Sequence, residues 1–138
     1  MTEVRFVQLD REEKALHLCR IADKYFLSGA RVLIVVDDEN RAVTLDRFMW
    51  VWDRISFIPH ALDNGTLDCM DEPVVVTTTE SNPNQAKVLI MGSPCRDAFI
   101  ARFELVFDFA ETYDAQLAES ARSRFRRYRA LGFNPAMY

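Results

Sequence analysis

Residues 31–36, Arg-Val-Leu-Ile-Val-Val, constrain the fold of this chain more than any other stretch. Five apolar residues, four of them β-branched, follow one another without a polar interruption. A strand with one wet face alternates apolar and polar residues, whereas one covered on both faces, as in a parallel sheet between helices, runs apolar throughout. Similar short runs recur at VRFVQL (4–9), PVVVTTT (73–79), KVLIM (87–91) and FELVFDF (103–109). Helical patterns separate them. Asp10, with Glu13 three residues on, resembles a capping box opening a helix whose stripe is Ala15, Leu18, Cys19, Ala22, Tyr25 and Phe26, ended by Gly29. DDEN at 37–40 turns into a second helix over about 39–53, and a last helix over about 114–131 is capped by Gly132. This order predicts an α/β fold: a Rossmann-like layered sheet, mostly parallel and flanked by helices. RISFIPHALDNG reads as extended or irregular, SNPNQA as a turn, and GSPCRDAFIA as a loop or one short helix. With 138 residues and no linker or repeat, residues 1–138 are expected to form a single domain.

Such a layout invites a nucleotide, yet the chain has only four glycines, Gly29, Gly65, Gly92 and Gly132. Neither the dinucleotide fingerprint nor the P-loop can be written with them, so the backbone cradle for a phosphate is missing and no nucleotide cofactor is expected. The charge is uneven. The chain carries -4 overall, but residues 114–138 hold five arginines against Asp114 and Glu119, which leaves the rest strongly acidic. A nucleic-acid binder with a generally basic surface is disfavoured, and contact with DNA is expected to be indirect. Cys19, Cys69 and Cys95 are odd in number and widely spaced, which predicts buried thiols with no disulfide framework and no zinc site. No apolar run approaches the roughly 20 residues of a membrane span and no signal-peptide pattern opens the chain, so the expected location is the cytoplasm.

Three catalytic readings deserve weighing. Cys95 beside Arg96 suggests a thiolate nucleophile, but no histidine lies close in sequence and a buried thiol is favoured. Asp37 and Asp38 follow a strand, where α/β active sites lie and two carboxylates could hold Mg²⁺; a turn and a helix N-cap are the favoured alternative. His60 follows Pro59 in a loop without an identified partner, and His17 falls within an amphipathic helix. An α/β enzyme using Asp37, Asp38 or Cys95 is therefore the second function considered, and it should show a small-molecule pocket at the C-terminal edge of the sheet.

The aromatics and arginines carry more information. Along the second helix, Ala42, Leu45, Phe48, Met49 and Trp52 fall within about 120° of arc at the helical repeat and form the core stripe. Trp50 lies nearly opposite, either packed under a neighbouring loop or offered to a partner, and ISFIPH supplies apolar residues beside it. On the last helix, Arg122, Arg126 and Arg129 form one stripe with Phe125 at its edge; Leu117, Ala121 and Tyr128 form the adjoining apolar face, and Arg124 and Arg127 point elsewhere. A guanidinium stripe bordering an aromatic suits a ligand both acidic and hydrophobic, such as a peptide carboxylate. A solvated helix whose last-turn cations complement its dipole is the alternative, with phosphate or nucleic acid behind both.

LDRFMW (45–50), SFIPH (56–60) and RSRFRRYRALGFN (122–134), arranged in that order around GARVLIVVDDE (29–39), resemble the chi subunit family of bacterial DNA polymerase III holoenzyme. The resemblance spans nearly the whole chain and is weakest over about 63–100. It implies a non-catalytic adaptor in the clamp-loader assembly, with the psi subunit on one side and the acidic, phenylalanine-terminated tail of single-stranded DNA-binding protein on the other. It implies a psi-facing surface with Trp50, Phe57 and Pro59, which His60 adjoins, and a tail pocket with Arg122 and Phe125, to which Arg126 and Arg129 are neighbours. A repair helicase is an alternative partner for the Trp50 surface. Two departures stand out. Phe125 replaces the family's usual tyrosine, and Ala118 stands where better-known relatives carry a lysine, a cation that Arg126 or Arg129 is expected to replace.

Overall fold

The computed structural model describes residues 1–138. Along the chain run Glu3–Leu9 (β1), Lys14–Leu27 (α1), Val32–Val35 (β2), Glu39–Val51 (α2), Ala61–Leu62 (β3), Val74–Thr77 (β4), Val88–Met91 (β5), Asp97–Ile100 (α3), Leu105–Glu111 (β6), Ala115–Ala130 (α4) and Pro135–Met137 (β7). The strands form one seven-stranded sheet in the order β3-β4-β2-β5-β6-β1-β7. Every pairing is parallel. All residues of β2, β4 and β5 are buried, which is why their sequences do not alternate.

Alternate residues of each strand feed two cores. On one face Leu18, Ile21 and Ala22 of α1 and Ala42, Leu45 and Met49 of α2 pack on Val7, Ile34, Val76 and Phe107. On the other, Phe99 and Ile100 of α3 and Ala121 and Tyr128 of α4 pack on Phe6, Leu33, Leu89 and Val106. Cys19 lies in the first core, Cys69 and Cys95 in the second, all three as free thiols. No helix is long and apolar enough to cross a membrane.

The helix ends follow local chemistry. Gly29 and Gly132 take φ of +88° and +80°, a conformation that costs glycine nothing. At the first, the Gly29 and Ala30 amides donate back to the Phe26 and Tyr25 carbonyls at 3.0 Å each; at the second, Gly132 and Phe133 donate to Arg129 and Tyr128 at 3.1 and 3.0 Å. The start of α1 differs from the expected capping box. Glu13 occupies the cap position with no side-chain hydrogen bond, because the Asp10 carboxylate instead accepts from Gln8 Nε2 at 2.9 Å and Thr112 Oγ1 at 3.3 Å. Ala15 is exposed, and Leu117 is 39 % exposed because Ala118, one position on, turns toward the core in its place. Two short strands, β3 and β7, were not anticipated from the apolar pattern.

Candidate functional site

The five arginines of α4 separate into two groups. Arg124 points into the protein: its Nε donates to Asp108 Oδ2 at 2.8 Å, and its Nη2 to Asp108 Oδ1 and to the Phe109 carbonyl at 3.1 Å each. Tyr128 Oη donates to the same carboxylate at 3.1 Å. Burial works against the Arg124 charge, but the bidentate Asp108 outweighs it and raises the guanidinium above its ordinary value. Arg127 pairs with Asp97 of α3 at 3.2 Å. Both therefore fasten α4 to the body.

Arg122, Arg126 and Arg129 remain on the solvent side. The Arg122 Nε donates to Glu119 Oε2 at 3.0 Å and the Arg126 Nη2 to Glu119 Oε1 at 3.4 Å, so one carboxylate bridges two guanidiniums. These hydrogen bonds, that from Arg122 first, hold Glu119 below the usual carboxylate range. Phe125 is half-buried against Phe6, ring centroids 5.4 Å apart, and Arg129 lies over the Phe125 ring at 5.0 Å. Ala118 is buried beneath the same helix. The structure thus joins Arg122, Phe125, Arg126 and Arg129 in one exposed band of α4.

A second surface forms at the end of α2. Trp50 is 49 % exposed and Phe57 is 64 % exposed, their ring centroids 5.4 Å apart. His60, itself buried, stacks under Trp50 at 4.3 Å. Acceptors face both ring nitrogens: Nδ1 lies 2.7 Å from the Ile58 carbonyl, and Nε2 lies 3.1 Å from Asp46 Oδ1 and 3.2 Å from the Asp46 carbonyl. Pro59 is half-buried between Ile58 and His60, while Val51 and Ile55 of the same stretch are exposed. The result is an apolar surface whose central tryptophan rests on a buried imidazole.

The carboxylates of the catalytic alternative have partners in the first turn of α2, and its thiol is buried. Asp38 is the N-cap of α2 and accepts from the Arg41 amide at 2.8 Å, while Asp37 pairs with the Arg41 guanidinium at 3.1 Å. Burial pushes the Cys95 thiol up to about 12, away from the thiolate form a nucleophile needs. A groove of about 480 Å³ does lie at the C-terminal edge of the sheet between α1 and α2, with Leu18, Val36, Leu45 and Phe48 as its apolar wall. Of the three residues considered for catalysis, Asp38 lines it, whereas Asp37 and Cys95 do not. Of its cations, Lys14 is paired with Glu111 at 2.9 Å and Arg41 with Asp37.

Sequence reasoning missed the acids that decide these roles: Asp108, Glu119 and Asp46. Asp108 left a trace, as the charge set between Phe107 and Phe109 in the run LVFDF. A lone acid in a doubly covered strand calls for a buried cation.

Comparison with known proteins identifies the family. The chain is 33 % identical over 118 residues to the DNA polymerase III subunit chi of Escherichia coli, spanning 85 % of this chain and 79 % of that protein. It is 28 % identical over 136 residues to the chi subunit of Pseudomonas aeruginosa, with 96 % and 93 % covered, and 28 % identical over 117 residues to that of Haemophilus influenzae, with 84 % and 80 % covered. Among solved structures, the C-terminal domain of the DEAD-box protein Dbp5 superposes with a TM-score of 0.64 at 11 % identity, over 99 % of this chain and 89 % of that one, a likeness of fold alone. The family described as DNA polymerase III chi subunit, HolC, matches residues 1–136, and the chain therefore belongs to the chi subunit family, accessory and not catalytic subunits of the replicative polymerase.

Proposed function

We propose that this chi-family subunit, as a single domain, is a two-sided adaptor of the clamp-loader complex. One side, through Arg122, Phe125, Arg126 and Arg129, takes the acidic, carboxylate-terminated tail of single-stranded DNA-binding protein. The other, through Trp50, Phe57, Pro59 and His60, holds the psi subunit or a repair helicase. The observation that carries the reading is the division of the α4 arginines: two are tied to buried or half-buried acids of the fold, and three stand outside with an aromatic ring among them. Guanidiniums pair carboxylate oxygens while ring and guanidinium faces accept an apolar side chain, so this band suits a peptide that ends in an aromatic residue and a free carboxylate. Trp50 and Phe57 fit the usual composition of an interface anchor, large aromatics exposed together on a fixed support.

The test is a calorimetric titration with a synthetic peptide of several aspartates followed by phenylalanine, and with the same peptide lacking the phenylalanine. The full peptide should bind far more tightly, with an affinity that falls as salt rises. Arg20→Ala, on exposed α1 across the sheet, should leave binding unchanged. Equal affinities for the two peptides would reduce the arginine band to a nonspecific basic patch.

A further inference from the structure

Of the three cations in the exposed band, two are already occupied. Glu119 sits one turn before Arg122 and two turns before Arg126 on α4, and its two carboxylate oxygens divide between them at 3.0 and 3.4 Å. That is the arrangement a ligand carboxylate would adopt between two guanidiniums. All three side chains are well over half exposed, so the contacts are made and broken in competition with water. Arg129 has no carboxylate and is spent on the Phe125 ring.

We infer that Glu119 is a built-in competitor at the anion site: its carboxylate occupies Arg122 and Arg126 when no ligand is present and must be displaced before an acidic, carboxylate-terminated peptide can take both guanidiniums. The inference rests on the reading of α4 as the tail-binding surface. It gives the site two properties. Affinity is held below what three free arginines would supply, and selection falls on ligands with more than one negative charge or with an apolar residue to add, since a lone small anion gains little by replacing the resident one. A weak resident acid also keeps the band from collecting unrelated anions.

The test uses the full chain and the aspartate-phenylalanine peptide at two salt concentrations. Glu119→Gln removes the charge with little change of shape, and binding should tighten about two- to five-fold, the range of an exposed ion pair, with a steeper dependence on salt. Glu119→Asp keeps the charge and its neighbour Arg122 but falls short of Arg126, so it should tighten binding measurably but by less than the glutamine. If the aspartate variant behaves as wild type while glutamine tightens binding, the effect is the general field of one negative charge, and occupancy of the pair is wrong. If the glutamine variant binds equally or more weakly than wild type, Glu119 is no competitor, whereas the tail-binding reading stands. If neither wild type nor variant binds the peptide, both fall together. Thermal melting of each variant accompanies the titrations, because loss of the helix would weaken binding and be visible as a lowered Tm.

Discussion

The surface at the end of α2 and the band on α4 differ in how each is held. Trp50 rests on the buried His60 ring, whose edges face the Ile58 and Asp46 oxygens, and is flanked by Phe57. Arg122 and Arg126 rest on one exposed carboxylate that a suitable acidic ligand can displace. The first is a preformed apolar anchor, whose binding is governed by desolvation and shape. The second is a set of adjustable charges, governed by salt and by competition. They also stand on opposite faces of one sheet, α2 over the first core and α4 over the second. On the proposed function, one partner would be held steadily and the other exchanged.

The comparison breaks most readily at Arg124, which looks like its exposed neighbours in sequence but is buried with Asp108. Arg124→Ala should cost about 3 kcal/mol of stability or more, because a buried carboxylate loses its counter-ion; denaturant titration measures it, and an unchanged midpoint would return Arg124 to the surface group. Next in size, Trp50→Ala should weaken the complex with a psi-type partner tenfold or more, about 2 kcal/mol for an aromatic anchor, with little sensitivity to salt and an unchanged Tm. A collapse of Tm would make Trp50 part of the core. Arg122→Ala should lower affinity for the aspartate-phenylalanine peptide by about 1 kcal/mol, less than the usual charged hydrogen bond because the guanidinium must also abandon Glu119, and high salt should erase the difference. A salt-independent loss would assign Arg122 to shape and not to charge.

The smallest effect at neutral pH concerns the thiols beneath the two surfaces. Cys19 on the α2 side and Cys95 on the α4 side are each pushed up to about 12 by burial, from an ordinary 9.0. The folded protein keeps these protons where the unfolded chain releases them, so their contribution to stability is intact below pH 9.0 and is lost as pH climbs toward 12. Neither thiol should react with iodoacetamide at pH 7, and both labelling rates should rise together in alkali. Labelling of one long before the other would mean that one face opens by itself.

Five of the seven strands were legible because their apolar runs are the direct imprint of double coverage. β3 and β7 were not. Ala61 and Leu62 lie at one edge of the sheet, half-buried and only two residues long, and β7 starts at a proline, which an edge strand tolerates and a central one does not. At the site, helical spacing alone separated Trp50 from the stripe of Ala42, Leu45 and Met49, and Arg122 from Arg124. What spacing cannot show is a partner distant in sequence. Asp108 is sixteen residues from Arg124 and Asp97 thirty from Arg127, and only the fold brings them together. The failed capping box at Asp10 has the same origin, since Thr112 lies 102 residues away.

The position of β1 in the sheet bears on how the protein is made. Glu3–Leu9 lies between β6 and β7, pairing with Leu105–Glu111 on one side and Pro135–Met137 on the other. During synthesis both neighbours emerge about a hundred residues later, which at roughly 5–20 residues per second leaves this strand unpaired for several seconds. Glu3 and Arg5 are charged interruptions that suit such a wait, for an apolar strand with two open edges is a template for the wrong chain. Until α4 is complete and β7 closes over β1, neither the arginine band nor the ring of Phe6 beneath it has its final support. On the proposed function, tail binding is therefore a property that the nascent protein acquires last.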